Sequence, residues 1–153
     1  MPNYGYSIIG LDPDKTARAS GREVHMSPKA AREICNELRG LRLEAAKTYL
    51  EEVIAMRQAV PYRRHDGQVG HRKGLRKADS GRYPVKASKE ILRVIANAEN
   101  NADYKGLDLD RLRVTHISAY PGRVNKRFVQ RARGRSTKYN EQLVHVEVVL
   151  TEE

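Results

Sequence analysis

The run LRVTHISAYPGRVNKRFVQRARGRSTKYNEQLVHVEVVL, residues 112–150, reads as one long hairpin. Its ends, Leu112 to Tyr120 and Leu143 to Leu150, are apolar and rich in β-branched residues, the composition of strands that pair antiparallel. Between Pro121 and Asn140 stand seven cations (Arg123, Lys126, Arg127, Arg131, Arg133, Arg135 and Lys138) and no acidic residue. Folding the segment about Arg131 brings Leu112 opposite Leu150. At about 3.3 Å per residue, each arm reaches on the order of 60 Å. A finger that long buries little core of its own, and its cationic tip asks for a polyanion to lie in.

The rest of the composition agrees. The chain has 153 residues, with 29 Lys and Arg against 19 Asp and Glu, a net charge of +10. That length suits one domain with appendages, and that charge favours nucleic acid over acidic metabolites or an anionic membrane. Hydrophobic residues make up 39%, enough for one modest core. Trp is absent and Phe128 is the single Phe, which is thin for an enzyme pocket. The single cysteine, Cys35, excludes an intramolecular disulfide and a multi-Cys zinc site. No apolar run approaches a signal-peptide core or a membrane span, so a cytoplasmic protein is expected.

Ahead of the hairpin, residues 1–15 read as an N-terminal arm and Thr16 to Met26 as a strand. Ser27-Pro28 starts a helix, Ser as cap and Pro at the first helical position. Ala31, Ile34, Cys35 and Leu38 follow at helical spacing, and Gly40 stops it. A second helix is expected from Leu43 to Gln58, with Leu43, Ala46, Leu50, Val53 and Ile54 on one stripe and Pro61 beyond. A third begins at Ser88 and carries Ile91, Val94, Ile95, Ala98 and Ala102, ending near Gly106. The expected fold is α+β: a small three-stranded antiparallel sheet packed with three helices, plus a long protruding basic β-hairpin.

Between the second and third helices, residues 62–86 form a basic, glycine-rich insert with neither helical nor strand period. Its cations are Arg63, Arg64, Arg72, Lys73, Arg76, Lys77 and Arg82, with Lys86 and Lys89 following and Tyr62 and Tyr83 near the ends. Arginine with an occasional stacking ring on glycine-rich backbone suits a loop moulded by RNA, although a plain linker has the same composition. At the hairpin tip Arg131, Arg133 and Arg135 alternate, so extended backbone would send them to one face. Guanidinium groups grip phosphate bidentately and stack on bases, which fits irregular RNA. Gly134 permits close approach or left-handed backbone. Phe128 and Tyr139 are candidates to stack on bases or to pack between the strands.

Catalytic constellations are weak. His65, Asp66 and His71 could hold a metal only on a scaffold more rigid than this one. His116 and His145 sit on facing strands, where satisfied structural histidines are the commoner case. Cys35 lies on an apolar helix face as an inert thiol. Gly67-Gln-Val-Gly70 has the form of a KH-domain loop without the helix that precedes one. Gly134 to Lys138 lacks the full spacing of a phosphate loop. No catalytic residue, metal or cofactor is expected. A DNA-architectural protein with a basic β-ribbon arm is the rival, but such proteins dimerise through a spare apolar face and carry an apolar wedge at the tip.

Certain stretches are more specific in combination. Met26-Ser-Pro-Lys-Ala-Ala-Arg opens the first helix and Leu38-Arg-Gly closes it. Leu43-Glu-Ala-Ala, Tyr49-Leu, Ala87-Ser-Lys and Asn97-Ala-Glu follow, then Lys126-Arg-Phe-Val-Gln-Arg-Ala-Arg-Gly-Arg135 and a closing strand from Val144. In this order, from about Thr16 to Leu150, the chain resembles the universal large-subunit ribosomal protein family numbered twenty-two in bacteria and seventeen in eukaryotes. The resemblance implies an RNA-embedded finger whose tip (Phe128, Gln130, Arg131, Ala132, Arg133 and Gly134) lines the polypeptide exit tunnel. It implies large-subunit ribosomal RNA, neighbouring large-subunit proteins and the nascent chain as partners of a monomer within the ribosome. Gln130 departs from the bacterial pattern, which commonly has Pro there. The insert is longer than in bacterial members and looks archaeal or eukaryotic.

Overall fold

The computed structural model describes residues 5–75 and 77–152. Strand β1 (Thr16–Val24), helix α1 (Pro28–Leu38) and helix α2 (Leu43–Ile54) come first. Two short strands follow, β2 (Val60–Pro61) and β3 (Gly81–Arg82), then helix α3 (Val85–Tyr104). The C-terminal third is β4 (Leu112–Asn125), β5 (Phe128–Gln130), β6 (Ser136–Lys138) and β7 (Glu141–Glu152). The main sheet is antiparallel in the order β1-β7-β4, so the last strand is the central one. The expected α+β class and three-stranded sheet hold.

One face of this sheet builds the core. Val144, Val146, Val148 and Leu150 point inward from β7, with Leu112, Val114 and Ile117 from β4. On β1 the fully buried hydrophobic residues are Ala17 and Ala19, and their small size lets α3 approach closely. Gly21 continues that series: a Cβ there would lie 2.7 Å from Val94 Cγ2. Val94 is β-branched and stiff, so it yields poorly. Gly21→Ala is therefore expected to destabilise the protein by about 1–3 kcal/mol through overpacking, read as a lowered midpoint in chemical denaturation.

The helices differ from expectation at their ends. Ser27 occupies the cap position of α1, but its side chain makes no cap hydrogen bond. Helix α2 ends at Ile54 rather than Gln58, because Met56 turns left-handed (φ 57°) and redirects the chain to bury Ala59 and Val60. Helix α3 starts at Val85, with Pro84 in the cap position. Ser88 is therefore not the cap; it is fully buried within the helix.

The hairpin register is shifted too. Leu112 faces Glu152, and Val114 faces Leu150. Irregularities between Val114 and His116 and between Pro121 and Val124 insert residues on β4. Together with the Leu112–Glu152 start, they move the turn's centre from Arg131 to Arg133, where Gln130 pairs with Ser136 across the tip.

Candidate nucleic-acid interface

The hairpin has two halves of opposite character. Its root, β4 to Ile117 against β7 from Val144, is buried in the core, whereas every residue from Lys126 to Asn140 is exposed. Phe128 and Tyr139 are 64% and 65% exposed, so neither is consumed in strand packing. At the apex Arg133 (φ 61°) and Gly134 (φ 68°) are both left-handed, the conformation of a tight hairpin turn. Arg131 N–H donates to the Arg135 carbonyl at 2.7 Å and closes it. The three arginines thus do not share one face of an extended strand: Arg133 caps the turn and the other two flank it. Left-handed backbone is what sequence reasoning allowed at Gly134. At Arg133 it costs roughly 1–2 kcal/mol relative to ordinary backbone.

The predicted cations divide by what already holds them. Arg123 Nε lies 3.6 Å from Glu23, and Arg127 Nη2 lies 3.4 Å from Glu141. Lys86 Nζ contacts His25 Nδ1, and the other nitrogen of that ring pairs with Glu141. These groups tie the start of α3, the end of β1 and the neck of the finger together. Beyond the neck the pattern changes. There Arg131, Arg133, Arg135 and Lys138 have no ion-pair partner among the described residues, and neither does Lys126 within the neck. Arg131 makes only a 3.3 Å hydrogen bond to Thr137.

The 62–86 insert is more ordered than its composition suggests. Strands β2 and β3 close its neck, a bridge pairs His71 with Ser80, and Arg72 N–H donates to the Asp79 carbonyl. Contrary to the aperiodic reading, Tyr62 and Val69 are buried and belong to the core. Val69 also follows the left-handed Gln68, so the KH-like tetrapeptide is a turn anchored by its apolar residue. Arg72 lies over the Tyr83 ring and Arg82 over the Tyr62 ring. Arg63 pairs with Glu37 at 2.5 Å. Lys73 and Lys77 are also within the described loop; Arg76 lies outside the described residues.

One residue that the motifs did not single out organises this loop. Glu33 on α1 is 1% exposed, and its carboxylate accepts N–H bonds from Arg63 (3.3 Å), Arg64 (3.1 Å) and His65 (3.2 Å). The signal in the sequence is an acid adjoining Ile34 on the apolar stripe of α1. Nothing local says what it would hold.

The catalytic candidates separate. Among the described residues, no group of three or more His, Cys, Asp or Glu could hold a metal. His116 and His145 are not partners: His145 faces Tyr120 and accepts the Glu23 N–H, whereas His116 contacts Glu147. Burial pushes the Cys35 thiol up to about 12, outweighing the opposing charge of Arg39.

Glu147 also fastens the N-terminal arm. It accepts from the Ser7 hydroxyl and, at 3.1 Å, from the Ser7 N–H. Burial alone would raise this carboxyl. Hydrogen bonds from Ser7, His116 and Tyr120 outweigh that and hold it below the ordinary value. A depressed acid stabilises above its unfolded pKa and loses that contribution as pH falls through the folded one. The arm is expected to stay docked at neutral pH and to release only as the pH falls below the ordinary glutamate range, followed through the Ser7 amide resonance. Glu147→Gln should remove that pH dependence.

Residues 19–151 match the family described as "Ribosomal protein L22p/L17e". The chain belongs to this family. It is 50% identical over 153 residues to the "Large ribosomal subunit protein uL22" of Methanopyrus kandleri, covering 98% of this chain and 96% of the relative. The protein of the same name from Methanocaldococcus jannaschii is 49% identical, with 94% and 92% covered. That from Methanocella arvoryzae is 46% identical, with 99% of each covered. The L22p/L17e assignment makes the chain a large-subunit ribosomal protein of archaeal type rather than an enzyme. Among the described residues, no helix is long and apolar enough to cross a membrane.

Proposed function

We propose that this large-subunit protein binds and organises ribosomal RNA through residues 62–86 and the distal hairpin, and that the hairpin tip forms part of the polypeptide exit-tunnel wall. The observation that carries the reading is the change of electrostatics along the finger. Cations at the neck are tied to Glu23, Glu141 and His25, while those beyond it have no ion-pair partner among the described residues and stand on a narrow, core-less ladder. Unpaired cations at that spacing gain free energy by releasing counterions from a phosphate backbone. The exposed rings of Phe128 and Tyr139 offer flat faces to bases or to a nascent chain in the tunnel. Left-handed strain at Arg133 fits a side chain selected for contact rather than for the turn.

The test is competition between large-subunit ribosomal RNA and duplex DNA of equal charge at fixed salt. The finger reading expects the structured RNA to win. Equal competition would favour a plain electrostatic arm.

A further inference from the structure

A cleft of about 370 Å³ lies between the start of α1 and the neck of the insert, lined by Lys29, Tyr62, Arg64, His65, Gly67 and Arg82 among others. Its lining residues include three permanent cations and an imidazole, and no carboxylate. These groups come from three separate parts of the chain. The β2–β3 ladder sets Arg82 beside the segment that carries Tyr62, Arg64 and His65.

The cleft is built rather than incidental. Beneath it the buried Glu33 carboxylate accepts three successive amides, so the backbone bearing Arg64 and His65 is held from below. The Arg82 guanidinium lies 5.7 Å from the centre of the buried Tyr62 ring, which limits its swing. Fixed guanidinium groups match the oxygens of a phosphate in paired hydrogen bonds. A single carboxylate would leave so many cations under-neutralised, whereas a polyanion presents phosphates in succession.

We propose that this cleft is a preformed site for a phosphodiester of the ribosomal RNA backbone, with Glu33 as the positioning residue that holds it open. The proposal rests on the RNA-binding reading above and deepens it: it narrows the insert's share to one cleft, completed by Lys29 of α1 and held by Glu33.

The experiment maps RNA from two cysteine-tethered iron–EDTA probes in assembled large subunits. Gly67→Cys places one at the rim of the cleft, where an added Cβ meets nothing within 4 Å. Ala132→Cys places the other at the exposed finger tip. The native Cys35, buried and with its thiol pushed up to about 12, stays unlabelled. Strong cleavage of ribosomal RNA from position 67, at sites distinct from those cut from 132, is the expected result. Glu33→Gln, or Lys29→Gln with Arg82→Gln, should weaken the cuts from 67 severalfold and leave those from 132 unchanged. The paired surface variant decides the matter if the Glu33 variant does not assemble. Cutting from 132 but not from 67 would overturn the cleft while leaving the finger intact, and would point to a neighbouring protein at this face. Cutting from neither would overturn the RNA-binding reading as well. Cuts from 67 that ignore Glu33→Gln would overturn its positioning role.

Discussion

Replacing Arg131, Arg133 and Arg135 together with alanine is expected to leave the protein folded and to weaken sharply the ribosomal RNA binding proposed for the finger. The folded state has little to lose. All three side chains are exposed, and the described contact among them is the 3.3 Å bond from Arg131 to Thr137. Surface changes of this kind stay within about 0.5 kcal/mol. Arg133 keeps its left-handed strain as alanine, so the turn gains nothing either. Binding behaves differently. Each phosphate contact contributes roughly 0.7–0.9 to the slope of log affinity against log salt. Removing three should therefore flatten that slope by about 2–3, with unchanged thermal unfolding as the internal control. A triple variant that bound with the parent's salt dependence would show that the tip does not grip phosphate.

Glu33→Ala should be the most damaging single change outside the apolar core. It removes one acceptor from three N–H groups and leaves a cavity against α1. Hydrogen bonds to a charged group contribute about 1.5–3 kcal/mol each and do not add fully, so a loss of about 3 kcal/mol is expected. That is a large share of a small domain's roughly 5–15 kcal/mol. The damage should also be local: amide protection at Arg63, Arg64 and His65 should fall, and protease should cut the insert before the core. Glu37→Ala is the comparison. Its pair with Arg63 is partly exposed, and loss of such a pair costs under about 1 kcal/mol.

These two residues groups mark where the sequence was legible and where it was not. Alternating β-branched runs around a cationic centre made the hairpin plain, because period and composition are local properties. The register was less visible, since a bulge shifts the phase without changing composition. A trace of it is present: inward residues run Leu112, Val114, then Ile117, an odd step in a period of two. The helix stripes were equally legible. Their ends were not: α2 stops before the left-handed Met56, which turns the chain to bury Ala59 and Val60, and α3 begins after Pro84, one turn ahead of Ser88. The insert was read as an aperiodic basic loop. Its order comes from Glu33, Tyr62 and Val69, contacts that exist only once α1 and the loop lie together. The cations themselves were easily listed by type. Which are tied at the neck and which stand free at the tip depends on Glu23, His25 and Glu141, residues far from or opposite them in the chain.

Whether the basic finger is embedded in ribosomal RNA is decided by sedimenting cell lysate and following this chain at low and then high salt. An embedded finger predicts co-migration with the large subunit under both conditions, because release would require withdrawing the hairpin as well as screening its charge. Release into free fractions at high salt would show loose surface electrostatics, and co-migration with chromosomal DNA would contradict the account outright.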